Sequence, residues 1–172
     1  MYAAIALIPF GLIRIVYFRS IDKVGYQRAQ KFAPFAKGKQ IYYGFYQICQ
    51  LFLIVIPLTE HIHLASGIDV LAAVLYLAGL IIIALAIHAF SQSDKDGLSQ
   101  SGIYRYSRHP MYVGYFFFYL GLGLWMRSIP YLITLVLFQL LTHQMVLAEE
   151  AWCLKEFGSA YQNYMKKTPR YL

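Results

Sequence analysis

Residues 68–90 read IDVLAAVLYLAGLIIIALAIHAF, 23 consecutive positions with a single charged side chain, Asp69, near the start. A helix of that length reaches about 34 Å, enough to cross a hydrocarbon core of about 30 Å. Four further apolar runs flank it: Tyr2–Phe18, Ile41–Leu58, Met111–Met126 and Ile129–Leu147. The Met111–Met126 run is short for a span and has to borrow from its flanks or stand where protein replaces lipid. The 172-residue chain is 59% hydrophobic and 13% charged, where a soluble domain is about 25% charged. Its mean hydropathy is +0.50. Such a composition excludes a soluble single-core globule, a disordered chain and a two-domain enzyme with a separate Rossmann unit.

The net charge is +7, from 15 Lys+Arg against 8 Asp+Glu. In a soluble protein that balance suggests nucleic acid. Here the basic residues fall in alternate connections. Arg19, Lys23, Arg28, Lys31, Lys37 and Lys39 follow the first run, and none follows the second. Lys95, Arg105 and Arg108 follow the third, Arg127 alone the fourth, and Lys155, Lys166, Lys167 and Arg170 the fifth. That alternation obeys the positive-inside rule and accounts for the charge without nucleic acid. It predicts an all-α integral membrane protein of about five transmembrane helices, N-terminus outside and C-terminus cytoplasmic. The first run lacks the basic start and small-residue cleavage site of a secretory signal and reads as a retained helix. Arg14 lies near the inner end of that run, where it can snorkel.

One membrane domain, residues 1–172, is expected. Residues 1–90 supply three helices, and 91–172 a helical hairpin with a basic tail. The link Arg127-Ser128-Ile129-Pro130 is too short for anything but an antiparallel hairpin, and Pro130 suits a first helical turn. Gly114, Gly121 and Gly123 allow close backbone approach. The tail after Phe157 is amphipathic and basic, fit to lie on anionic lipid or to cap a site from below. Cys49 and Cys153 are too far apart in depth for a disulfide, and no metal-ligand spacing occurs.

Costly polar residues gather at the cytoplasmic ends of the last three runs. Pro110 forces His109 out of helical geometry and opens the fourth run, which sets His109 at a helix N-terminus that favours an anionic group. Gln139, His143, Val146 and Glu150 form one stripe on the fifth run, and Glu149-Glu150 close it. A polar stripe inside a membrane faces protein or a water-filled cavity. The hairpin brings the start of one helix to the end of the other, so His109 and Tyr112 should meet Glu149 and Glu150, with Arg105 and Arg108 nearby. A helix N-terminus, two carboxylates and tyrosine faces suit a zwitterionic or sulfonium ligand.

Gly102-Ile-Tyr104-Arg-Tyr-Ser-Arg108-His109-Pro110-Met111-Tyr112-Val-Gly114, then Glu149-Glu150, Phe157-Gly158-x-x-Tyr161-x-x-Tyr164 and Thr168-Pro169-Arg170 resemble the isoprenylcysteine carboxyl methyltransferase family. Phospholipid N-methyltransferases share part of the pattern. The resemblance covers about residues 91–172 and implies S-adenosylmethionine as methyl donor. By position it carries cofactor contacts onto Leu98, Tyr104, His109, Pro110, Met111, Tyr112, Glu149 and Glu150, with Arg108, His109 and Glu150 in catalysis. It also implies a lipophilic acceptor entering from the bilayer, and the compact form suits a prokaryotic plasma membrane. Eukaryotic prenylcysteine enzymes of this family carry an arginine about one turn before the acidic residue. Here that stretch reads His143-Gln144-Met145, which leaves Arg105, Arg108 and His143 as stand-ins toward substrate.

A carboxylate acceptor is ionised near neutral pH and needs no general base, whereas an amine acceptor needs one, for which His109 or a glutamate serves. Two other readings remain open. One is an NADPH-dependent membrane reductase of the sterol reductase type, which has a similar C-terminal tail. The other is a non-enzymatic transport or assembly subunit whose polar stripe binds a partner helix.

Overall fold

The computed structural model describes residues 1–30, 40–64, 66–92 and 98–171. Lys31, Lys37, Lys39 and Lys95 of the charge pattern lie outside the described residues, as does the side chain of Arg28. The described chain is helical: α1 (Ala3–Ile21), α2 (Lys23–Ala29), α3 (Gln40–Thr59), α4 (Gly67–Ser91), α5 (Pro110–Met126) and α6 (Ile129–Lys167), with a 3-10 turn at Gly102–Arg105. α1, α3, α4 and α6 are long and apolar enough to cross a membrane. α5 has 17 residues and reaches about 26 Å, short of the hydrocarbon thickness. Nine of its residues are buried, so protein covers much of what lipid would otherwise have to match.

Helix starts follow from local chemistry. Ser66 precedes α4, and the Asp69 carboxylate accepts a 2.7 Å bond from the Ser66 backbone N–H. Pro110 and Pro130 occupy first turns, where a missing N–H costs nothing. α5 ends at Arg127 in the left-handed region (φ 53°), which turns the chain into α6.

Contacts divide the molecule into two ends. At one end Ala3 N–H donates to the Glu60 carbonyl and Ile62 N–H to the Met1 carbonyl. Arg127 pairs with Asp69 at 3.2 Å, and Ser128 donates to Glu60 at 3.0 Å. The loop before α5 and the C-terminal tail meet at the other end, which is also where Arg105, Arg108, Lys166, Lys167 and Arg170 lie.

The closest backbone approach is between α4 and α5. A Cβ added at Gly79 would strike the backbone of Phe118 and Gly114, and one at Gly121 would strike the backbone of Tyr76 and Ala72. Gly114 lies against Ile83 in the same seam. Only Gly123 faces α6, against Tyr131 and Leu132. Two of the three glycines read from the sequence therefore serve α4, not the hairpin partner. Without an aqueous driving force between helices, small residues that admit close van der Waals packing decide which helices pair. The register sets Ile83 beside Gly114, so Pro110 stands level with Ile87 and α4 runs about 6 Å further.

α6 continues through 39 residues, past the Leu147 boundary of the apolar run. At Gly158, whose φ of 51° and ψ of −123° no helical residue adopts, the chain kinks, and the amphipathic tail forms a second helical segment beyond it. Arg14 is part-buried, with Nη1 enclosed by protein. It lies on the α1 stripe that includes Phe10 and Phe18, and Phe18 is fully buried.

Gly79→Ala should lower the melting temperature in detergent, because overpacking against rigid backbone costs about 1–3 kcal/mol. Gly44→Ala, whose added methyl group meets no neighbouring atom, should leave it unchanged or raise it. Equal melting temperatures for the two variants would refute the seam.

Candidate functional site

The site is assembled by the loop ahead of α5. Arg108 Nη2 donates to Glu150 Oε1 at 2.7 Å, and Nη1 donates to the Met165 carbonyl at 3.2 Å. From the tail, Arg170 grips the same carboxylate twice, Nε to both oxygens at 3.1 Å and Nη2 to Oε2 at 2.8 Å. Further bonds stitch tail to loop: Arg108 N–H to the Pro169 carbonyl, Tyr164 hydroxyl to the Tyr104 carbonyl at 2.6 Å, and Ser107 hydroxyl to the Arg170 carbonyl. The tail thus caps the site from below, one of the two roles its sequence suggested.

Glu150 is almost fully buried. Burial pushes its carboxyl up, but His109, Arg170 and Arg108 more than offset that and hold it at about 2. It therefore stays charged, and its partners are all supplied by the protein. Its neighbour Glu149 differs. Helical geometry turns adjacent side chains about 100° apart, and Glu149 is 42% exposed. Its Oε2 accepts a long 3.4 Å bond from the Tyr112 hydroxyl and lies 3.8 Å from His109 Nδ1.

His109 caps α5 in position only: its side chain makes no capping bond. The ring is buried, and Nε2 stands 3.4 Å from Glu150 Oε1 without forming a hydrogen bond. A buried ring nitrogen held only at ion-pair distance from Glu150, beside an uncapped helix N-terminus and a partly free carboxylate, has capacity left for a ligand.

The expected set is brought together in part. Arg108, His109, Tyr112, Glu149 and Glu150 form one cluster. Tyr104 is buried and joined to it through Tyr164. Pro110 is buried at the helix start, and Met111 packs on the core. Leu98 is half-buried, with no hydrogen bond or ion pair to the cluster. Arg105 is exposed, and its carbonyl accepts from Thr168. His143 Nδ1 meets the Tyr171 hydroxyl at 2.9 Å. It shares with Gln139, Thr142, Tyr112 and Phe116 a groove of about 340 Å³ at the α5–α6 seam, so the Gln139–His143 part of the stripe faces a groove, while Val146 and Glu150 are buried in protein. Arg170 and Tyr171 were not assigned roles from sequence, since nothing in a short basic tail indicates which buried carboxylate it will reach.

Both cysteines are free. Burial, then Glu149 and Glu150, push the Cys153 thiol up to about 12, so it is not a nucleophile. Among the described residues no group of His, Cys, Asp and Glu is placed to hold a metal.

A family model described as phospholipid methyltransferase matches residues 62–160. The chain belongs to that family. The match takes in α4, which the motif resemblance did not reach, and stops short of Tyr161, Tyr164 and Arg170. The chain is also similar to the protein-S-isoprenylcysteine O-methyltransferase of Schizosaccharomyces pombe, 40% identical over 84 residues. That alignment covers 46% of this chain and 34% of the relative, so the chain spans about a third of that protein. Both descriptions concern methyl transfer, not reduction or transport.

Lowering pH should loosen the clamp. A carboxyl depressed in the fold contributes stability that is fully present above its ordinary value of 4.5 and is lost as pH falls toward about 2. Thermal melts of the wild type should show a loss in that window that Glu150→Gln lacks. A Gln variant with the same acid profile would count against the clamp.

Proposed function

We propose that this protein is an integral membrane methyltransferase that takes its methyl group from S-adenosylmethionine and places it on a lipophilic acceptor bearing a carboxylate of the isoprenylcysteine type. The observation that carries this is the pairing of a ligand-ready His109–Tyr112–Glu149 cluster with a groove at the α5–α6 seam.

The residues present fit the donor. Glu149, Tyr112, buried Tyr104, Leu98 and the His109–Pro110–Met111 start of α5 would hold it. S-adenosylmethionine supplies an electrophilic methyl group on a cationic sulfur. Glu149 offers the one partly free carboxylate of the cluster to that cation, and the tyrosine faces add to the attraction. Arg108, Arg170 and Glu150 position the loop, so His109 and the first turn of α5 are fixed before a ligand arrives. An acceptor carboxylate is already ionised, so the chain's work is alignment and exclusion of water. The phospholipid family name favours a second acceptor, an amine. It would need a proton removed, and His109 is the buried base at hand.

The acceptor's apolar part would lie in the groove, with Gln139, Thr142 and His143 at its polar wall. By the positive-inside rule the basic end, and with it the site, faces the cytoplasm and the N-terminus lies outside. A prokaryotic plasma membrane is the proposed location.

Calorimetry in lipid nanodiscs tests the donor. S-adenosylmethionine should bind the wild type, and His109→Ala and Glu149→Ala should each weaken it at least tenfold, about 1.4 kcal/mol, with melting unchanged in Glu149→Ala and lowered in His109→Ala, which also removes a partner of Glu150. Unaltered affinity in both variants refutes the assignment. Transfer of labelled methyl to prenylcysteine, and not to phosphatidylethanolamine, is the expected acceptor result; the reverse replaces the carboxylate with the amine.

A further inference from the structure

Arg14 is a cation inside a membrane-length helix that meets the Tyr115 hydroxyl and the Phe18 ring but, among the described residues, no carboxylate. It sits in the π-wound part of α1, Leu12–Tyr17. One turn before it, Phe10 stacks on Phe118 at 4.7 Å between ring centroids and touches Tyr115 and Tyr119. One turn after it, Phe18 is fully buried, edge-on to Phe90. The stripe therefore points into the protein. The guanidinium lies 5.4 Å from the Phe18 ring centroid, and its Nη1 is buried without a hydrogen-bond partner.

Of the six described carboxylates five are engaged elsewhere, and the sixth, Glu156, is exposed near the far end of α6. Asp69 pairs with Arg127, Glu150 with Arg108 and Arg170, and Glu60 accepts from Ser128. Glu149 accepts from Tyr112 and lies by His109, and Asp22 accepts from Gly25 N–H. None of the described ion pairs includes Arg14. An intramembrane guanidinium with no anion is expensive, and such residues mark paths and sites for charged ligands.

What surrounds Arg14 connects it to the cluster. Tyr46 of α3 and Tyr104 of the loop lie within electrostatic reach of both Arg14 and Glu149. Tyr115 and Tyr119 of α5 also lie near Arg14. Tyr46 and Tyr104 thus neighbour both the Arg14 cation and the Glu149 carboxylate, and no direct ion pair joins those two among the described residues.

We propose that Arg14 is the anchor for the anionic group of the acceptor: a carboxylate carried on a lipophilic tail docks on the Arg14 guanidinium, beside the tyrosines that also neighbour Glu149. Docking supplies the missing counter-charge. It also brings a negative acceptor opposite the carboxylate that attracts a positive donor. The assignment rests on the methyltransferase reading and names the acceptor chemistry of that same site. A lipid phosphate carries the same charge, and the test separates the two sources.

The test measures binding, without turnover, in nanodiscs of neutral lipid. The probes are N-acetyl-S-farnesylcysteine, its neutral carboxamide and phosphatidic acid. Wild type should bind the carboxylate at least tenfold more tightly than the carboxamide, and phosphatidic acid should compete weakly. Arg14→Met should reduce the preference to about twofold, keep S-adenosylmethionine affinity, and melt no lower than wild type, because an unpaired buried charge is gone. A tenfold preference retained in Arg14→Met overturns the proposal. So does a variant that melts far lower or fails to fold, which makes Arg14 a structural residue. Phosphatidic acid displacing the carboxylate at equal concentration assigns the anion to lipid phosphate and overturns the carboxylate. Absence of S-adenosylmethionine binding to wild type, with the carboxylate preference intact and lost in Arg14→Met, sinks the donor reading alone.

Discussion

The functional end of the molecule depends on one buried carboxylate held by two arginines from opposite directions. Glu150 belongs to α6, Arg108 to the loop before α5, and Arg170 to the tail. These segments have no regular ladder of hydrogen bonds to one another. A charge sealed from water needs its partners in place, and removing one leaves the others costly. The price of burying the triad is what fixes the loop. His109 inherits its position as the residue between Arg108 and the first turn of α5.

Behind this clamp stands the α4–α5 seam. Gly79, Gly114 and Gly121 allow backbones to touch, which fixes the depth of α5 against α4. Pairing of α5 and α6 then follows from a connection only a few residues long. Depth, pairing and clamp together bring Tyr112 to Glu149, although neither residue shares a helix or a neighbour in sequence with the other.

Much of this was readable from the sequence. Apart from the far end of α6, the apolar runs match the helices within a few residues, because a membrane demands apolar length and little else. The meeting of His109 and Tyr112 with Glu149 and Glu150 followed from hairpin topology alone. Other features were not readable, for reasons that differ. A glycine pattern indicates close approach but not with whom: Gly114 and Gly121 meet α4, while Gly123 meets α6. Adjacent glutamates look alike in sequence; only the tertiary positions of Arg108 and Arg170 separate the bound one from the freer one. A lone arginine near a helix end looks ready to snorkel, and Phe10 and Phe18 reveal the inward face only once α5 is beside them. The bend at Gly158 needs a backbone state that glycine permits but does not announce.

The offset between α4 and α5 has a consequence for encounter kinetics. Since α4 overshoots the start of α5 by about 6 Å, His109 lies below the rim set by its longer neighbour. If the acceptor is lipophilic, as proposed, a site at that depth meets it by lateral diffusion in two dimensions, and occupancy would follow the acceptor's mole fraction in the lipid, so that diluting the bilayer, not the buffer, would empty it.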